Sequence, residues 1–556
     1  MKKQFVVLTL CTLLIAPALP AEQPAIGESG KKEMSLMNNQ FTWNQPKTSA
    51  PVLHPGNAKS AGMIDAPLKE IDPLMEGMIS DGVMPGAVAF VARSGHVVKH
   101  DAYGFAYQYE DDQYTKAEHP VAMKKDTIFD LASISKIFTV TAAMKLYEEG
   151  HFKLDDKVAN YIPEFSQNGK EDVTIRQLMT HTSGFAAWIP LYTQGSSRED
   201  RLQLVFAEPL VNPPDSTYTY SDLNMITLGA LIERLSGKTL DAFVKQTITD
   251  PIGMKDTMYN PPAALKPRIA ATEYQPAIGR GLVWGEVHDE NAWSLDGIAG
   301  HAGVFSTAED LAKFAHMFLM EGRYGGKRIL KPETIRTLNE NQIPQFPGDD
   351  HGLGWELNQG WLMDALTDED SLGHTGFSGT SIVINQKNDT VAILLTNRVH
   401  PSRNTVSTNV ARRAFAQLTA DAIPVKTAPK STAWFSGYGD GLQRTLTAEL
   451  KGDKPALLTF ETWHRIEENS DYGFVEVSAD GEDWSAALPA YTGNSADWKK
   501  ESVSIPEGTK FIRFRYQTDA SVNGRGWYIQ NPRLTQQNGD SVELKLDSDD
   551  WTKRKY

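Results

Sequence analysis

The sequence predicts an α/β domain, an antiparallel sheet flanked by helices with an added helical lobe, followed by a C-terminal all-β sandwich. Three observations carry this expectation. Runs of strand length open and close the region between residues 86 and 398, and helix-period runs lie between them. Near residue 430 the pattern changes to short alternating runs separated by Gly, Asp and Asn turns. The 556 residues exceed one ordinary core, and 40% apolar with 22% charged residues is an average globular composition.

Taken in order, residues 1–21 carry two lysines, an apolar run from Phe5 to Ile15 and then small residues and prolines. This is a signal peptide, cut after Ala18 or Ala21, because the apolar core is shorter than the roughly 20 residues a span needs. No later stretch is apolar for long enough to cross a bilayer. The single cysteine, Cys11, falls in this leader, so the mature chain has no disulfide and no cysteine metal site. An exported protein, periplasmic or secreted, is expected. The net charge of −15 argues against a general nucleic-acid binder. Residues 22–62, rich in Pro, Asn, Ser and Lys, read as a flexible leader.

The α/β domain is expected over 63–422. Gly86–Arg93, the turn pair Ser94-Gly95 and His96–His100 read as a hairpin. Apolar positions at Ile137, Val140, Met144 and Tyr147, stopped by Gly150, predict a helix over 133–149. A second helix is expected from about Asp222 to Leu235, ended by Gly237. A third is expected to start at the capping box Ser306-Thr-Ala-Glu309. Thr380–Ile384 and Val391–Leu395 read as a second hairpin. Residues 423–432 read as a linker, and 433–556 as the β-module, with strands near 457–462, 473–478, 511–516 and 526–529.

Three short motifs carry chemistry. Ser133-Ile-Ser-Lys136 places a hydroxyl and an amine three residues apart on one helix face. A serine becomes a nucleophile when a base takes its proton. The helix N-terminus favours an oxyanion, and with burial it lowers the lysine pKa. A second Ser-x-x-Lys, Ser29–Lys32, lies in the leader. Tyr220-Ser221-Asp222 precedes the second helix; beside an ammonium, the Tyr220 phenol is expected to have a lowered pKa and to serve as general base, then general acid. His374-Thr375-Gly376 precedes a strand, where a glycine admits a ligand backbone. The Phe377 N–H is expected beside that of Ser133 as an oxyanion donor.

Ser-x-x-Lys, Tyr-Ser-x and His-Thr-Gly in this order, about 85 and about 155 residues apart, resemble the serine penicillin-recognising hydrolases, the β-lactamase/transpeptidase-like fold. The resemblance is nearest to the class C β-lactamase-related branch, which also holds D-alanyl-D-alanine carboxypeptidases, D-aminopeptidases and esterases. It extends over about residues 65–420 through Met179–Gly184, Pro251–Met254, Gly300–Thr307 and Leu395–Asn397.

The resemblance implies Ser133 as the acylated nucleophile, Lys136 and Tyr220 as its proton-transfer partners, and Asp222, His374, Thr375, Gly376 and Phe377 as substrate-binding residues. No catalytic cofactor is implied. Peptide, D-amino-acid and ester substrates are all open, with a β-lactamase or a non-catalytic cell-surface binding protein as further alternatives. His374, where β-lactamases have lysine, shifts weight from β-lactam toward peptide or ester. As imidazolium it would bind a substrate carboxylate. Asp222, where asparagine is common, would attract a substrate ammonium, pair with Lys136, or point away and leave Asn224 the polar role.

Val287–Trp293 reads as a polar structural or substrate-facing loop. His181 and His301 read as makers of loop hydrogen bonds. The C-terminal module resembles the jelly-rolls attached to immune-inhibitor-type secreted proteases, through Thr462-Trp-His464, Asp471–Ser478 and Gly524–Ile529. That resemblance implies a structural calcium with Asp471 and Asp519 as oxygen ligands, and docking to peptidoglycan or glycan.

Overall fold

The computed structural model describes Trp43 and residues 49–427, 431–452, 454–537 and 539–556. The expected signal peptide and most of the expected leader lie outside the described residues. The hairpin expected at 86–100 is present as β1 (Gly86–Arg93) and β2 (His96–Tyr109). Ser94 and Gly95 both take positive φ, 51° and 83°, the turn geometry whose twist matches two antiparallel strands. The second hairpin comprises β4 (Ser381–Asn385) and β5 (Thr390–Thr396). β3 (Ser371–Thr375) pairs with β4, Thr375 opposite Ser381.

β5 pairs with β1, so the sheet runs β2–β1–β5–β4–β3, antiparallel throughout. Residues 54–55, expected in the leader, instead pair parallel with the start of β2, so the domain begins earlier than expected.

Both sheet faces are covered, which explains the continuous apolar strand text. Val88, Phe90 and Ala92 pack with Ile137 and Phe138 of α2 (Ser135–Glu148) and Leu311 and Phe314 of α4 (Ala308–Leu319). The alternate residues Ala87, Ala89 and Val91 pack with Ile71 and Met75 of α1 (Ile71–Ser80) and Phe415 of α5 (Asn409–Asp421). α3 (Asp222–Ser236) packs on α2 in the helical lobe and stops at Gly237, φ 66°.

One cap is shifted from its expected place. Thr307, not Ser306, caps α4, accepting from the Asp310 N–H at 3.2 Å. Ser306 is drawn into a two-residue strand against Phe129-Asp130.

The C-terminal region consists of two antiparallel sheets around Leu458, Phe460, Val475, Phe514, Trp527 and Ile529. The first contains Ala456–Arg465 and Gly526–Gln536; the second contains Gln443–Glu449, Phe511–Gln517 and Tyr472–Ser478. Ile423 and Val425, expected in a linker, are buried with Phe435, Trp463 and Tyr528 of this module, because apolar side chains at the end of α5 find an apolar partner there. Asp421, buried at the end of α5, pairs with Arg525 at 2.8 Å and Arg554 at 2.6 Å.

Candidate active site

Ser133 lies on the 3-10 turn Ala132–Ile134 that runs directly into α2. The preceding residue, Ala132, takes φ 48°, a conformation costly for a residue with a Cβ. Its N–H donates to Asp130 Oδ1 at 2.8 Å, and Asp130 Oδ2 accepts from the His288 N–H at 2.6 Å. The two-residue strand pair of Phe129-Asp130 with Phe305-Ser306 thus fixes the turn that presents the serine.

Lys136, on the first turn of α2, is completely buried. Its Nζ donates to Ser133 Oγ at 2.9 Å and to the His301 carbonyl at 3.3 Å, and it pairs with Asp222 Oδ1 at 2.8 Å. The Tyr220 ring lies 4.6 Å from the ammonium. Burial works against the lysine charge, but Asp222 and Tyr220 outweigh it, and the pKa lies above the ordinary lysine range. Burial also raises the Tyr220 phenol, and the nearby ammonium does not reverse this. Both expected depressions are therefore corrected: at rest the site holds an ammonium and a neutral phenol, since Asp222 outweighs burial at the lysine and burial outweighs the ammonium at the phenol. Of the three expectations for Asp222, pairing with Lys136 is the one the structure shows. Asn224 is engaged elsewhere, accepting from Ser183 Oγ at 2.5 Å.

His374 also departs from expectation. It is buried, its Nδ1 lies 2.9 Å from the Thr375 carbonyl, and burial lowers its pKa to about 3, with Lys136 acting in the same direction. A neutral imidazole packed 6.1 Å from the Tyr220 ring is not an imidazolium clamp. Gly376 is needed by the protein's own backbone: a Cβ there would stand 2.3 Å from the Leu131 carbonyl oxygen and 2.2 Å from Thr380 Oγ1. Ser378 and Thr380 donate to the carbonyls of Asp130 and Leu131 at 2.7 and 3.1 Å. These bonds stitch the end of β3 to the nucleophile turn and bring Phe377 to the same cleft as Ser133. Phe377 is half exposed and stacks on His288 at 5.7 Å.

The cleft has a volume of about 470 Å³, and Ser133, Tyr220, Thr375, Gly376 and Phe377 line it. Residues that the motif reading missed line it too, among them Glu356, Gln359, Trp361, Arg398 and Arg412. Arg412, on the first turn of α5, donates to the Gly376 and Thr380 carbonyls at 3.0 and 3.1 Å. Among the described residues neither Arg398 nor Arg412 has a carboxylate at ion-pair distance, and Asp349, Asp350 and Glu356 line the same cleft, so it presents charges of both signs. Burial pushes the Glu356 carboxyl up to about 7, against Arg412 and Lys136. Arg398 follows the Leu395–Asn397 run singled out above, but no spacing marks it or Arg412 as a site residue.

The loop Val287–Trp293 contributes structure. Asp289 caps the turn 290–294 and accepts from His301 Nε2 at 2.9 Å, with its ionised form favoured over the cost of burial. His288 pairs with Glu273 at 2.9 Å. His181 Nδ1 accepts from the Ser221 N–H at 3.1 Å, and its ring packs 4.7 Å from Tyr220, so it positions the second motif. In the module, Asp471 and Asp519 come together with Glu467, their ligand atoms within 4.8 Å of one another. Burial, and after it the neighbouring carboxylates, raise Glu467 and Asp471 to about 7, with Arg413 opposing this at Glu467.

The family profile described as "Beta-lactamase" matches residues 69–417. A protein of Salmonella agona named "Putative D-alanyl-D-alanine carboxypeptidase" is 32% identical over 383 residues, covering 63% of this chain and 87% of that protein. The N-acetylmuramyl-L-alanine amidase of Bacillus subtilis is 31% identical over 375 residues, covering 62% and 84%. Among solved structures, EstCE1, a hydrolase with promiscuous acyltransferase activity, has the same fold at 21% identity and a TM-score of 0.50, over 64% of this chain and 98% of that one.

Proposed function

The chain belongs to the beta-lactamase family, and on that premise we propose that it is an exported serine hydrolase, forming an acyl-enzyme on Ser133, whose substrate is a peptide ending in D-alanyl-D-alanine. The observation that carries the reading is the chain Ser133 Oγ, Lys136 Nζ, Asp222 Oδ1, with steps of 2.9 and 2.8 Å, at a cleft that also holds Arg398 and Arg412. The two guanidiniums suit a C-terminal carboxylate. The names of the carboxypeptidase and amidase relatives support a cell-wall peptide substrate, and the leader-like residues 1–21 support export.

In the proposed acylation Ser133 Oγ bonds to the substrate carbonyl carbon. Its proton passes to Lys136 Nζ as a lysine proton passes to Asp222. The oxyanion is held by the N–H groups of Ser133 and Phe377. As the tetrahedral intermediate collapses the scissile C–N bond breaks: Tyr220, neutral at rest, gives its proton to the leaving amine and regains one from Lys136, which takes back the proton held by Asp222. His374 acts by fixing Tyr220.

The half-exposed ring of Phe377 at the cleft favours an ester of an apolar acid as the second reading. For the module we propose a jelly-roll, supported by its two facing sheets, and a structural calcium held by Glu467, Asp471 and Asp519. Trp463, Trp527 and Trp551 are buried, which leaves the half-buried Trp434, Trp484 and Trp498 as the tryptophans a glycan could meet.

The test is a panel of D-alanyl-D-alanine peptides, D-amino-acid amides, short esters and nitrocefin. Release of free D-alanine with the highest kcat/KM is expected. Turnover confined to esters or nitrocefin would overturn the peptide assignment.

A further inference from the structure

The loop between Phe511–Gln517 and Gly526–Gln536 of the C-terminal module presses on the catalytic domain. At its tip Val522 takes φ 57°, a conformation that a β-branched residue rarely adopts. Such strain persists where surrounding contacts over-determine it. Within the module the Asp519 N–H donates to Asp471 Oδ1 at 3.1 Å, the Ser521 N–H to Asp519 Oδ1 at 2.9 Å, and Asn523 Nδ2 to Asp440 Oδ1 at 2.7 Å. Toward the catalytic domain, Gln417 of α5 donates to the Gly524 carbonyl at 2.6 Å and Arg525 pairs with Asp421 at the end of the same helix.

What Val522 touches gives this loop a function. A Cβ at Gly360 would lie 2.7 Å from Val522 Cγ1, so only glycine fits beneath the valine. Gly360 opens the turn Gly360–Met363. Its neighbours Gln359 and Trp361, joined by a 2.9 Å bond from Trp361 Nε1 to Gln359 Oε1, line the cleft that holds Ser133. The Gln359 amide is tied in turn to the Leu357 carbonyl at 3.0 Å.

We propose that the C-terminal module forms the back of the substrate cleft, with Val522 the positioning residue that sets Gln359 and Trp361 through Gly360. The proposal rests on the reading of the Ser133 cleft as the substrate site. The loop braces both ends of one wall: Val522 holds the 359–361 turn, and Arg525 and the Gly524 carbonyl hold the helix whose first turn carries Arg412 into the cleft. Substrate groups that reach this wall depend on the module; bond making at Ser133 does not.

A double-mutant cycle in the full-length protein tests this. Gly360→Ala introduces the clash. Val522→Ala removes the clashing methyl, and in the double variant the remaining carbon lies 3.7 Å from the new Cβ, an ordinary contact. Inactivation by a bulky rhodamine-linked fluorophosphonate and by diisopropyl fluorophosphate separates half-saturation concentration from limiting rate. In Gly360→Ala the half-saturation concentration of the bulky reagent is expected to rise at least fivefold. The limiting rate and the small reagent's kinetics should stay within twofold, and the double variant should return to wild type. Amide exchange over residues 356–366 should quicken in Gly360→Ala and recover in the double.

Purely structural contacts would instead lower Tm in Gly360→Ala while leaving both half-saturation concentrations unchanged. A labelled wild type indifferent to both substitutions would overturn the wall. A wild type that neither reagent labels would overturn the site reading, and with it the wall's role.

Discussion

Lys136 and Asp222 form a 2.8 Å ion pair in which the lysine is completely buried and its pKa is held above the ordinary range. Removing the carboxylate should reverse that balance, because burial is then opposed by Tyr220 alone. Asp222→Asn should lower kcat/KM at pH 7 by about 100-fold, the scale of a lost proton-transfer partner. It should also introduce a limb that rises with pH as Lys136 loses its proton. With the folded-state lysine pKa now below its unfolded value, the folded protein binds fewer protons and its stability should rise with pH. Rate profiles and Tm between pH 6 and 10 check both signs.

His374, lowered to about 3, stays neutral throughout the working range. The kcat/KM profile for carboxylate-ended substrates should therefore show no break near pH 6.5 that His374→Asn removes. The substitution should lower kcat by about 10-fold through Tyr220, leaving KM nearly unchanged.

Glu356 titrates near 7 in the cleft it shares with Arg412. Above that pH its carboxylate competes with a substrate carboxylate, so KM should rise about fivefold, equivalent to about 1 kcal/mol of repulsion. Glu356→Gln should flatten the limb. Because the folded pKa is raised, the stability this group contributes is present below about 4.5 and is lost as pH rises through 7. Chemical denaturation at pH 5 and 8 should show wild type, but not Glu356→Gln, losing that contribution.

Gly376→Ala forces a carbon against the Leu131 carbonyl and Thr380 Oγ1, at 2.3 and 2.2 Å. The strand end must then move off the nucleophile turn. A stability loss of about 1–3 kcal/mol and a large drop in acylation rate are expected. Unchanged acylation would show that the stitch between β3 and the turn is dispensable.

The architecture was legible because periodicity and turn chemistry agree along the chain: Ser94-Gly95 and Gly237 sit where the backbone takes positive φ, and the strands of both regions fall near their predicted places. Ser133 and Lys136 were legible because three residues of helix spacing dictate their contact. Charge states were not legible. The sequence shows that a lysine, a tyrosine and an aspartate are present, but only packing decides that the aspartate faces the lysine and keeps it charged. His374 has the residue type of a pH-sensitive clamp, and its burial removes that behaviour. Arg398 and Arg412 reach the cleft from a strand end and a helix start that no local pattern relates to Ser133. The end of the α/β domain was blurred for a similar reason, since the polar text after Asp421 hides Ile423 and Val425, which pack against the module.

The central claim is that Ser133 is the nucleophile. The most direct measurement is peptide-mapped mass spectrometry of the protein after reaction with a fluorophosphonate. One adduct per chain, on the peptide containing Ser133, is predicted. It should be lost in Ser133→Ala, reduced in Lys136→Ala and retained in Ser29→Ala. An adduct on another residue, or labelling that survives Ser133→Ala, would contradict the account.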